Sequence, residues 1–249
     1  IPVIIETQPQ NNFKLTAELL EEKITEKSKI LVLPYPNNPT GAVMRRDELE
    51  AIAALVEKYN LFVLSDEIYG ELTYGDEPHV SFASLKNMKE RTLLINGFSK
   101  SHSMTGWRMG YATGPSKIIS CMTKLHQYAI MSAPTTSQFA AIEALKNGDD
   151  DIEYMKSQYD MRRRLIVDSL NNMGLQCFEP EGAFYVFPSV KSTGLTSSEF
   201  SEKLIYSKHV AVVPGNAFGN YGEGFLRISY SYSIKHIVEA LERIEAFLH

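Results

Sequence analysis

Short apolar runs alternate along the chain with longer stretches in which apolar residues recur at three- and four-residue steps. Lys29-Ile-Leu-Val-Leu-Pro34, Leu61-Phe-Val-Leu-Ser65, Thr92-Leu-Leu-Ile-Asn96 and Met109-Gly-Tyr-Ala-Thr113 are apolar on both faces and end in polar or turn residues, the pattern of strands buried within a sheet. Between the first two, Leu49, Ile52, Ala53 and Val56 fall at i, i+3, i+4 and i+7, with Asp47 and Glu48 in the first turn of the helix they predict. Strand, helix and strand in succession imply βαβ units and a mostly parallel sheet, whose ligands gather at the carboxyl ends of the strands.

A polar break, Asn147-Gly-Asp-Asp-Asp151, precedes a long predicted helix carrying Ile152, Met155, Tyr159, Ile166, Leu170 and Met173 and stopped by Gly174. Beyond it the pattern predicts a smaller α/β unit. Its strands are expected at 183–187, 210–213 and 225–229, with a helix over 197–207. A closing helix after Ser233 shows Ile234, Ile237, Val238, Leu241, Ile244 and Leu248 on one face. Two domains follow, a large one over residues 1–150 and a small one over 151–249 that includes the long helix.

The chain has 249 residues, 44% hydrophobic and 22% charged, which excludes a disordered or fibrous protein. Twenty-five basic residues against 30 acidic ones give a net charge of −5, and no basic block is present to follow a phosphate backbone, so nucleic acid is not an expected partner. Cys121 and Cys177 are the only cysteines, too few for a disulfide framework, which fits the reducing cytoplasm. No metal site is expected, since neither HExxH nor any other ligand spacing occurs; His102 and His126 are read as surface or packing residues. No apolar run approaches the roughly 20 residues of a membrane span. The first residues, Ile1-Pro-Val-Ile-Ile-Glu6, lack both an initiator Met and the basic stretch of a signal peptide, and a processed product or a fragment is expected.

Polar residues cluster where the strands end. Asp66-Glu-Ile-Tyr69 follows the second strand; taken alone, Asp66 would be a helix N-cap. Asn37-Asn-Pro-Thr-Gly41 follows the first and by itself is a turn. After the third comes Gly97-Phe-Ser99-Lys100-Ser-His-Ser-Met-Thr-Gly106-Trp-Arg108, dense in hydroxyls and glycine, with two cations eight residues apart. Hydroxyls, backbone amides and an Arg can cradle a phosphate. Together the three loops offer an amine, a carboxylate and a phosphate cup, which is what pyridoxal phosphate chemistry needs.

The joint pattern resembles the class I/II aminotransferases of fold type I. The motifs that carry the likeness are Asn38-Pro-Thr-Gly41, Asp66-Glu-Ile-Tyr69, Ser99-Lys100 through Gly106-Trp-Arg108-Met-Gly110, Glu181-Gly-Ala-Phe-Tyr185, Val213-Pro-Gly215 with Phe218-Gly219, and Gly224-Phe-Leu-Arg227-Ile-Ser229. They run the length of the chain. The Asp-Glu-Ile-Tyr and Thr-Gly-Trp-Arg stretches look like the aspartate/aromatic subgroup, and Ser99 to Arg108 with His126-Gln-Tyr128 looks like N-acetyl-diaminopimelate aminotransferases.

The resemblance implies that pyridoxal 5'-phosphate is held by Lys100 as a Schiff base, that Asp66 keeps its ring nitrogen protonated, and that Asn38 and Tyr69 hydrogen-bond the ring oxygen. Ser99 and Arg108 would hold the phosphate. Lys100 would also move the substrate proton. Arg227 would take the substrate α-carboxylate through a bidentate fork, with Asn38 beside it; its alternative is a salt bridge closing a strand. An amino acid and a 2-oxo acid are the implied substrates and a homodimer the implied assembly. The resemblance further implies an N-terminal portion that this chain lacks. That portion would supply an aromatic ring stacked on the cofactor, part of the phosphate cup and several strands, so the 249 residues alone are expected to be an incomplete enzyme. Two other functions use the same residues or fold: a pyridoxal-phosphate-dependent carbon–sulfur β-lyase, and a non-catalytic effector domain of a transcription regulator.

Overall fold

Residues 1–249 are described by a computed structural model, in which the chain divides into two units. The first comprises Ile1–Pro36 and Val43–Met155, the second Asn37–Ala42 and Lys156–His249. The Asn37–Ala42 turn thus belongs with the second unit although both its flanks belong to the first, a membership that no local pattern announces.

The first unit is built on a four-stranded sheet in the order β1 (Ile30–Leu33), β2 (Phe62–Asp66), β3 (Thr92–Gly97) and β4 (Gly110–Thr113). β1, β2 and β3 run parallel, with Leu33 beside Ser65 and Asp66 beside Ile95. β4 is antiparallel to β3 and places Gly110 opposite Gly97. That close pairing requires glycine, because a Cβ on Gly97 would lie 2.9 Å from the Gly110 Cα. A short helix, α1 (Ala17–Glu21), precedes the sheet. Between β1 and β2 runs α2 (Arg46–Lys58), where the Glu48 carboxylate accepts the backbone N–H of Arg45 and so satisfies one free donor of the first turn. Its Leu49, Ile52, Ala53 and Val56 are buried, as their spacing requires.

Burial of β1 departs from the sequence pattern. Leu31 and Leu33 are covered, but Ile30 and Val32 are 61% and 58% exposed, because within this chain nothing packs on that face of the strand. β4 is also largely exposed. Three further helices follow: α3 (Phe98–Ser101), α4 (Ser116–Ala129) and α5 (Thr135–Asn147).

The long helix α6 (Asp149–Asn172) runs from the first unit into the second and stops before Gly174, whose φ of +81° is the left-handed conformation glycine adopts without strain. The second unit has a small antiparallel sheet in the order β5 (Tyr185–Val186), β7 (Leu226–Ser229), β6 (Val213–Pro214). Its outer strands are shorter than the pattern predicts. Pro188 and Pro214 have no N–H to give the ladder, and His209 ends α7 (Ser197–Lys208) in a left-handed conformation, so pairing begins only at Val213. The closing helix α8 (Ile234–Leu248) is capped by Ser233, which accepts from the His236 N–H, and buries Ile237, Leu241 and Ile244.

Candidate active site

Strand direction assembles the first group of residues. Parallel β2 and β3 end on the same side of the sheet, and antiparallel β4 begins there. Asp66 is the last residue of β2, Ser99 and Lys100 lie in α3 immediately after β3, and Arg108 stands two residues before β4. All four therefore reach one edge of the first unit, with Tyr69 three residues past Asp66. Asp66 does not cap a helix. It closes a strand, and its Oδ1 accepts from the Ile68 N–H at 3.2 Å across a tight turn. The Lys100 Nζ lies 5.9 Å from the centroid of the buried Tyr69 ring.

The loop bearing the two cations is pinned from below. Phe98 and Met104 pack on Ala141 of α5, with Met109, Ala140 and Ala144 around them. The Ser137 hydroxyl, also on α5, donates to the Trp107 carbonyl at 2.6 Å. Within the loop, the Thr105 hydroxyl donates to the Ser99 carbonyl at 2.8 Å and Arg108 Nη1 donates to the Thr105 carbonyl at 2.9 Å. Arg108 sits in the left-handed region, at φ +55°, which turns the backbone sharply into β4. His102 is a packing residue, 5.3 Å from the Phe98 ring and hydrogen-bonded to Ser101.

The second group lies in the second unit. Arg227, on the central strand β7, donates from Nη1 to Asn38 Oδ1 at 2.9 Å. Its guanidinium stands 4.6 Å from the Tyr185 ring centroid and 4.8 Å from that of Phe218, two faces that attract a cation. The salt bridge that would have made Arg227 a strand closure is not its contact here; a neutral amide is. The turn carrying Asn38 is tied down at Gly41, whose carbonyl accepts from the N–H groups of Glu181 and Gly182 at 3.0 and 2.9 Å. Only glycine fits there, because φ is +75° and a Cβ would fall 2.3 Å from the Pro180 Cβ. A cavity of about 440 Å³ in the same unit, lined by Ile166, His209, Tyr232, His236 and Arg243 among others, contains none of the candidate cofactor- or substrate-binding residues.

The sequence pattern of the family described as Aminotransferase class I and II matches residues 2–244. The chain belongs to that family. This aminotransferase chain is 52% identical to a putative aminotransferase, YugH, of Bacillus subtilis (strain 168), over all of its own length and 64% of that protein's. It is 49% identical to a probable N-acetyl-LL-diaminopimelate aminotransferase of the same organism, covering 99% of itself and 62% of the relative. Among solved structures it superposes on an aromatic aminotransferase from Pyrococcus horikoshii OT3 with a TM-score of 0.97 at 45% identity, covering 99% of this chain and 67% of that one. The aminotransferase chain thus spans a little under two thirds of the curated relatives it matches, and its fold is that of the fold type I enzymes.

Several residues around the two groups escaped sequence reasoning. Arg163 of α6 is 7% exposed; it binds Asp160 and Glu179 and donates to the Pro180 carbonyl at 3.1 Å, fixing the segment on which Gly41 rests. It falls four residues after Tyr159 and three before Ile166, so its place on the apolar stripe was a usable signal. Glu67, beside Asp66, is 2% exposed and bonded to Ser65, His79 and Ser81. Phe218 carried no signal beyond its motif. No helix of the aminotransferase chain is long and apolar enough to cross a membrane, and no group of three or more His, Cys, Asp or Glu is arranged to hold a metal ion.

Proposed function

We propose that this chain carries the cofactor-holding and carboxylate-holding residues of an enzyme that transfers the amino group of an L-amino acid to a 2-oxo acid with pyridoxal 5'-phosphate. The observation that carries the proposal is the gathering of an amine, a carboxylate, a phenol, a hydroxyl and a guanidinium at one strand edge of the first unit. That donor set matches the cofactor group for group: the amine suits its aldehyde, the carboxylate a protonated ring nitrogen, the phenol the ring oxygen, and the hydroxyl with the guanidinium a phosphate dianion. The relatives' names favour transfer over thiol elimination or a regulatory role.

When bound, pyridoxal phosphate supplies an electron-accepting ring that stabilises the substrate carbon once its α-proton is gone. Lys100 would hold the group through Nζ, and the same amine, once free, would be the base that moves the substrate α-proton. Asp66 accepts a hydrogen bond from the ring nitrogen and keeps it protonated. Tyr69 donates to the ring oxygen, a role shared with Asn38, while Ser99 and Arg108 bind the phosphate. Arg227 grips the α-carboxylate of either substrate with both arms of its fork, its plane set by Tyr185 and Phe218 and one edge by Asn38. Donor and acceptor use the same Arg227 in turn, so the first product leaves before the second substrate binds. We place the reaction in the cytoplasm and in a homodimer; two free thiols are in keeping with the first, and the family likeness with the second.

Incubating the protein as its organism makes it with pyridoxal phosphate should give a visible absorbance band, together with turnover of aspartate or an aromatic amino acid with 2-oxoglutarate. Lys100→Ala should abolish the band and lower turnover more than about 10⁴-fold. Reduction with borohydride followed by peptide mapping to a different lysine would sink the assignment.

A further inference from the structure

We infer that Glu67 is a positioning residue for Asp66 and Tyr69, holding the end of β2 from the face opposite to Asp66. The inference rests on the role proposed above for Asp66. Side chains alternate along a strand, so Val63, Ser65 and Glu67 share the covered face while Phe62, Leu64 and Asp66 look the other way. A Glu side chain that is 3% exposed needs strong partners, and Glu67 has four. Its Oε1 accepts from the Ser65 hydroxyl at 2.8 Å, the Ser81 hydroxyl at 3.0 Å and the Phe82 N–H at 3.1 Å, and its Oε2 pairs with His79 Nε2 at 2.9 Å.

Every one of those partners can act as a donor, which suits an ionised carboxylate, an acceptor through both oxygens. The His79 ring fits the same arrangement. Its Nδ1 is buried with no hydrogen-bond partner, so a neutral ring that spends its one N–H on Glu67 leaves no buried donor unmet.

The main chain of Glu67 completes the grip. Its N–H donates to the Ile95 carbonyl of β3 at 2.9 Å and its carbonyl accepts from the Gly70 N–H at 2.8 Å, closing the turn that carries Tyr69. His79 lies against that turn so closely that a Cβ on Gly70 would come 3.0 Å from the His79 Cδ2. One buried carboxyl group therefore joins β2, the Tyr69 turn and the segment 79–82. Asp66 and Tyr69 inherit their placement from it.

The test measures cofactor affinity, from titration of the visible band, and the steady-state constants of Glu67→Gln, Ser81→Ala, His79→Leu and His79→Gln beside Asp66→Asn, in the protein as its organism makes it. Gln at position 67 turns a donor toward donors. It should weaken cofactor binding about tenfold or more and lower kcat similarly with both KM values nearly unchanged, because Arg227 is untouched. Ser81→Ala and His79→Leu each remove one donor and should give about a threefold loss in the same two quantities. His79→Gln, which keeps a donor, should lose less than His79→Leu. These single-donor variants decide the matter if Glu67→Gln does not fold. Folded variants with a lower Tm but wild-type cofactor affinity and kcat would overturn the inference while Asp66→Asn still impairs the enzyme. An Asp66→Asn protein that itself matches wild type would instead remove the role of Asp66, and the inference with it.

Discussion

The two residue groups are fixed in different ways. At the edge of the first unit, Asp66, Ser99, Lys100 and Arg108 stand on main-chain features, namely strand ends, a four-residue helix and a loop pinned on α5, with the end of β2 braced by Glu67. In the second unit, Arg227 is aimed by side chains, with Asn38 on its edge and Tyr185 and Phe218 against its faces. A backbone-set group is disturbed through whatever braces its strand ends and turns, as Glu67 braces the end of β2, and through replacement of the residue itself. A side-chain-set group can be disturbed from a distance, by moving a partner that never touches substrate.

The largest effect that follows from this contrast is at Asp66. Asp66→Asn leaves the strand intact and should retain the absorbance band, while kcat falls about 10²- to 10³-fold as the charge opposite the ring nitrogen is lost. Near-normal turnover would make Asp66 a turn residue only. Arg227→Lys comes next. The cation stays but the fork and the flat face are lost, so KM for amino acid and 2-oxo acid alike should rise about tenfold or more with an unaltered band. Unchanged kinetics with every carboxylate substrate would return Arg227 to a structural role.

Gly41→Ala gives the smallest effect on catalysis and separates the two modes most cleanly. The added methyl meets Pro180 and a left-handed backbone, and should cost about 1–2 kcal/mol of stability or more. It should also raise KM a few-fold by displacing Asn38 from Arg227, with a smaller loss of cofactor affinity, because Tyr69 still serves the ring oxygen that Asn38 shares. A loss of cofactor affinity equal to the loss of substrate affinity would erase the distinction between the groups.

How much of this was legible depends on the range of the interaction. Apolar runs located all four strands of the larger sheet, and three-four spacing located α2, α6 and α8, because burial of one stripe is a local property of the sequence. The strand ends then drew attention to the three loops that carry Asn38, Asp66 and Lys100, while the role of each residue, Ser99 included, came from the family resemblance. What the pattern missed was set by distant partners. The bare face of β1 depends on what does not pack there, and antiparallel β4 on a chain reversal through Arg108. The donors that His79 and Ser81 bring to Glu67 come from 12 and 14 residues away, in a loop without periodicity. Arg163 was readable in principle, yet a charged residue on an apolar stripe is ordinarily assigned to solvent.

The chain passes between the units three times, at Pro36–Asn37, Ala42–Val43 and Met155–Lys156. A gene divided at the last junction alone would therefore yield a C-terminal piece carrying Arg227, Tyr185 and Phe218 but not Asn38, whose six-residue turn would remain with the other product. Complementation between two such pieces, or transplantation of the C-terminal piece onto a related enzyme, would succeed only if the recipient presented an equivalent turn with glycine where Gly41 stands. The heritable module proposed to recognise the carboxylate is discontinuous, and recombination that respects only the long helix would break it.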